Sequence, residues 1–113
     1  MLLEILQVVC AAATILTGLV SLIFPTRVTG FTGLTPRGGR GITEIRSVLG
    51  GFFVALGAAP LILGVDATFT MLGIAYLVVA AVRAVSMFVD QSVEQSNWIS
   101  LLAEIVFGVI LVL

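Results

Sequence analysis

Four long apolar runs, separated only by short polar connections, decide what this chain can fold into: Leu2 to Phe24, Thr43 to Gly64, Ala67 to Val89 and Trp98 to Leu113. A bilayer core about 30 Å thick takes roughly 20 residues at helical rise, and in lipid each segment must pair its own backbone N–H and C=O groups. The expected fold class is therefore all-α, an integral membrane four-helix bundle. It forms a single domain over residues 1–113, with spans at about 2–24, 43–64, 67–89 and 98–113. With 60% hydrophobic and 10% charged residues, the chain does not have the composition of a water-soluble domain.

The first run carries Glu4 near its start where a signal peptide has a basic region, and no small-residue cleavage site follows, so it reads as a retained span. Ala11, Thr14, Gly18 and Ser21 recur at helical spacing, a small-residue stripe of the kind that lets helices approach closely in lipid. Pro25 ends this helix. In the connection beyond it, Val28, Phe31 and Leu34 recur every third residue, which predicts a short helical turn at the interface. Pro36-Arg37-Gly38-Gly39-Arg40-Gly41 reads either as a flexible basic loop that fixes topology or as a clasp for an anion or lipid phosphate.

In the second run Thr43 is the expected N-cap, with Glu44 in the first turn, where the helix dipole favours negative charge. At α-helical spacing Arg46, Gly50, Gly57 and Gly64 share one stripe, while Glu44, Ser47, Gly51, Ala55 and Ala58 form the next. Gly50, Gly51, Gly57 and Gly64 are the expected packing glycines, and Pro60 a kink. The third run sets Tyr76, Arg83 and Asp90 seven residues apart on one face. The fourth opens at Trp98, suited to the headgroup region, and aligns Asn97, Glu104 and Gly108. At about 24 Å it barely crosses.

Arg27, Arg37 and Arg40 all lie in the first connection, and neither the second turn nor either terminus has a basic side chain. The positive-inside rule places that connection in the cytoplasm and both termini outside, in a plasma membrane. Counting depth from the cytoplasmic ends, Arg83 and Glu104 both lie about 10 Å deep, so they are natural partners. Glu44, Arg46 and Asp90 complete an expected polar binding site of Glu44, Arg46, Arg83, Asp90 and Glu104, with Thr17, Ser47, Tyr76 and Ser86 as contributors. Near-neutrality of such a cluster is required, because an uncompensated charge in lipid is costly.

The chain has no His and one cysteine, Cys10. Imidazole ligation, the usual zinc sites and the Ser-His-Asp or Cys-His nucleophile systems are thereby excluded, and no metal or cofactor is expected. Every basic residue is Arg, the net charge is −1, and nucleic acid is not an expected partner. Three function classes remain. The first is a non-enzymatic binding or scaffold protein, with the bilayer, a lipid or small polar ligand, or a second membrane protein or copy of itself as partner. The second is a small oligomeric proton-coupled transporter, for which Glu44-Ile45 and Glu104-Ile105 offer a weak internal echo. An intramembrane enzyme using Glu44 or Glu104 as acid or base ranks last.

Glu44-Ile45-Arg46 followed by Gly50-Gly51, then Arg83 with Ser86 and Asp90, then Glu104, resemble the domain of unknown function 4345 family of small four-span bacterial membrane proteins. The resemblance covers nearly the whole chain and implies the bacterial inner membrane, the four-span fold and the polar residues, with no activity attached. The family commonly has Tyr before the glycine pair and Gly after the acid that ends the third span. This chain has Leu49 and Gln91 there.

Overall fold

The computed structural model describes all 113 residues and is helical throughout, with no strand. In chain order the elements are α1 (Leu2–Ile23), a one-turn α2 (Thr29–Thr32), α3 (Gly38–Glu44), a π-helical segment (Ile45–Gly51), α4 (Phe52–Leu63), α5 (Asp66–Val89) and α6 (Gln95–Val112). The segments α3, π and α4 run on as one helix from Gly38 to Leu63. With it, α1, α5 and α6 make four helices long and apolar enough to cross a membrane. Between 17% and 28% of each span's most apolar window is buried within the protein, so most of the Leu, Val, Ile and Phe surface faces outward, as suits a lipid solvent.

Two boundaries differ from the sequence reading. The second span starts at Gly38 and not at Thr43, because Arg40 and Glu44 pair across one helical turn and Gly38, with φ +67°, supplies the bend that starts it. Thr43 is thus a helix-interior residue. The fourth starts at Gln95 after an extended Glu94, giving it 18 residues and most of another turn.

The chain forms two compact units, residues 11–64 and residues 1–10 with 65–113. In the first, the later part of α1 lies against the second span through backbone contacts. Ala11, Thr14, Gly18 and Ser21 are all buried. A Cβ added at Gly18 would stand 2.7 Å from Gly50 O and Val54 N, and one at Gly57 would stand 2.6 Å from Ala11 O. Glycine thus brings the two helices closer than any side chain allows.

The π segment was not anticipated. The N–H of Phe52 bonds to the carbonyl of Ser47, five residues back. At that spacing Gly50 stacks over Ile45 and Gly51 over Arg46, so Ile45 and Gly50 are buried while Arg46 and Gly51 are exposed. The predicted stripe joining Arg46 to Gly50 is broken at this turn. Gly51 and Gly64 are likewise not packing glycines. A Cβ at Gly51 would touch only Arg46 O, at 3.8 Å, and one at Gly64 would meet nothing. Gly64 instead ends α4, with φ +65° and its N–H on Pro60 O at 3.0 Å.

In the second unit α5 and α6 lie side by side. Gly73 and Gly108 face one another's helices: a Cβ at Gly73 would stand 3.0 Å from Gly108 O, and one at Gly108 would stand 2.6 Å from the Leu77 side chain. Ala80, Met87 and Leu101 form a core with Ala84 against it. Tyr76 meets Phe107 edge to face at 5.6 Å between ring centroids. Near the start of α1, Gln7 Nε2 donates to Ile110 O of α6 at 3.1 Å.

Candidate functional site

The cation-to-acid spacing that matched Arg83 and Glu104 in depth brings them face to face across α5 and α6. Arg83 Nε donates to Glu104 Oε1 and Nη2 to Oε2, both at 2.8 Å, a two-point ion pair. Arg83 Nη1 donates to Asn97 Oδ1 at 2.9 Å, and Asn97 Nδ2 in turn donates to the carbonyl of Ser92 at 2.7 Å. The chain of bonds runs from the α5–α6 connection through Asn97 to Arg83 and Glu104. The Glu104 side chain is 12% exposed and that of Arg83 30%. No buried side-chain nitrogen or oxygen in the protein lacks a hydrogen-bond partner.

This cluster stands beside a groove of ≈ 380 Å³. One part of its lining is apolar, from Val78, Val79, Val82 and Met87; the other is polar, from Arg83, Ser86, Ser92 and Asn97. Three of the five guanidinium N–H groups are taken by Glu104 and Asn97, leaving one on each terminal nitrogen.

Asn97 and Ser92 were absent from the expected site. Asn97 lies seven residues before Glu104 on the same helix face, which was the available signal. Ser92 contributes through its backbone, which side-chain chemistry does not reveal. Its place comes from how α5 ends: Asp90 N–H bonds to Ser86 O and Ser92 N–H to Met87 O, with Gln91 left-handed at φ +53°. This is a Schellman-type end, with Gln91 at the left-handed position that glycine most often takes.

The remaining expected residues have other surroundings. Glu44 is held by Arg40, one turn before it on an exposed surface. Arg46 and Ser47 are exposed on the π segment. Asp90 is the exposed C-cap of α5. The Thr17 hydroxyl donates to Ala13 O of its own helix at 2.9 Å. Ser86 lines the groove, and Tyr76 stands against Phe107. Arg27 lies over the Phe24 ring at 4.8 Å, a cation–π contact where α1 ends. No three Cys, Asp or Glu side chains gather where they could hold a metal ion.

Four helices long and apolar enough to cross a membrane, two of them joined by the Arg83–Glu104 pair, fit a small membrane protein. The chain belongs to the family described as Domain of unknown function (DUF4345), whose model matches residues 2–113. No curated protein and no solved structure matches it.

Proposed function

We propose that this single-domain protein is a non-enzymatic binding or scaffold protein of the bacterial inner membrane, with its polar site in the cytoplasmic leaflet and both termini outside. The observation that supports this most is the Arg83–Glu104–Asn97 network at the edge of a groove that is apolar along Val78, Val79 and Val82. An ion pair alone would serve packing. Here Arg83 is oriented by two partners, keeps two N–H groups unspent and stands beside space, which is how a residue that receives a ligand is arranged. Asp90 is the exposed C-cap of α5, seven residues beyond Arg83. Glu44, paired with Arg40, and Arg46 are exposed on the other unit.

Each Glu104 carboxylate oxygen accepts from Arg83, an arrangement that holds the guanidinium in place, and the transporter and enzyme readings gain nothing from this geometry. The test is retention of lipid or solute through purification in mild detergent. The wild-type chain should carry a near-stoichiometric bound species that Asn97→Ala and Arg83→Met lose. Equal retention by all three would refute the reading, and proton-driven flux in liposomes would replace it with transport.

A further inference from the structure

From the same groove, and resting on the binding reading above, we infer the class of ligand: a zwitterionic phospholipid, with its phosphodiester on Arg83 and its ammonium toward the acids of the α5–α6 connection. Three features carry this. First, the unspent groups at the polar end are donors. Arg83 has one free N–H on each terminal nitrogen, Asn97 has one beyond its bond to Ser92 O, and Ser86 adds a hydroxyl. The complement is a head with at least two acceptor oxygens close together, which a phosphodiester supplies through its two non-bridging oxygens.

Second, the guanidinium charge is already balanced by Glu104. A head of net negative charge would leave the site one charge short of neutrality, next to a carboxylate that is only 12% exposed. A head that brings its own cation adds no net charge to the Arg83–Glu104 pair. Third, two acids without an ion-pair partner stand in the α5–α6 connection, whose Ser92 lines the groove. Asp90 stands two turns beyond Arg83 on α5, and Glu94 opens α6; both are exposed. Val78, Val79 and Val82 line the groove on the opposite side of Arg83 along α5, where an acyl chain lies against apolar surface.

The experiment measures headgroup selectivity on delipidated full-length protein by native mass spectrometry. Phosphatidylethanolamine, phosphatidylcholine and phosphatidylglycerol of identical acyl chains are titrated separately. The zwitterionic lipids should bind about tenfold tighter than phosphatidylglycerol, the difference one charge-assisted hydrogen bond makes. In the Asp90→Asn, Glu94→Gln double variant, both changes on exposed positions that leave the fold intact, that preference should vanish or reverse while binding itself persists. Tighter binding of phosphatidylglycerol by wild type would overturn the inference and leave the binding reading standing, and so would a preference unaltered by the double variant. Binding of none of the three overturns both. A free phosphate or phosphoethanolamine that competes as well as the lipid would overturn the acyl-chain half of the assignment.

Discussion

At the scale of single residues, Gln91 has the most direct consequence. A non-glycine residue at φ +53° is strained, and glycine at the left-handed end of a helix removes the strain. Gln91→Gly should raise stability by about 0.5–1 kcal/mol, read as a higher midpoint of unfolding in detergent. No shift, or a fall, would mean that the Gln91 side chain makes up for its backbone. Arg83 and Glu104 give the larger effect. Arg83→Met or Glu104→Gln alone leaves a charge without its partner and should cost about 2–3 kcal/mol, below the range for fully buried pairs because Arg83 keeps 30% exposure. The double variant should cost clearly less than the sum of the two, and additive losses in the cycle would show that the pair carries no coupling. This pair was legible in the sequence because depth along a straight helix follows from residue number. The bond from Asn97 to Ser92 O was not, since it depends on how the chain turns between α5 and α6.

Among the elements, the small-residue stripe of the first span could be read from spacing alone, because α1 is a regular helix and Ala11, Thr14, Gly18 and Ser21 keep their phase. The second span could not be read this way. Its one π segment shifts the phase between its two ends, so a projection at α-helical spacing places Arg46 with Gly50 when the chain in fact places Ile45 there. Nothing local announces this segment beyond the Gly50-Gly51 pair, which lowers helix propensity without naming the alternative. The two registers predict opposite outcomes at adjacent positions. Ile45→Asp should unfold or misassemble the protein, and Arg46→Leu should leave its thermal stability within about 0.5 kcal/mol, as for a surface change. The reverse pattern would restore the α-helical register. Gly57→Leu tests the crossing itself: with Ala11 O only 2.6 Å from where even a Cβ would go, a larger side chain must separate the helices. Unchanged unfolding behaviour of that variant would be incompatible with the contact.

For the whole molecule, what composition can establish is the solvent. Four apolar helices that turn most of their large side chains outward exist stably only where the surroundings are as apolar as they are. Orientation is a separate matter, carried by very few charges. Arg27, Arg37 and Arg40 stand in one connection, and the other side of the four-span order has only Glu4 and Asp66. Arg27 stacked on Phe24 and Arg40 paired with Glu44 are partly committed to neighbours, but both keep their charge, and charge is what retention in the cytoplasm reads. Single cysteines at Gly39 and at Asp66, in a Cys10→Ala background, distinguish the two orientations. The Asp66 position, in the turn that opens α5, should react with an impermeant thiol reagent added to intact cells, and the Gly39 position only after lysis. Labelling of Gly39 from outside would invert the protein and place the Arg83 groove in the outer leaflet. Because α5 and α6 share their connection with that groove, inversion would move Asp90, Glu94 and Asn97 together to the outer surface, and the lipids available to the site would then be those of the outer leaflet.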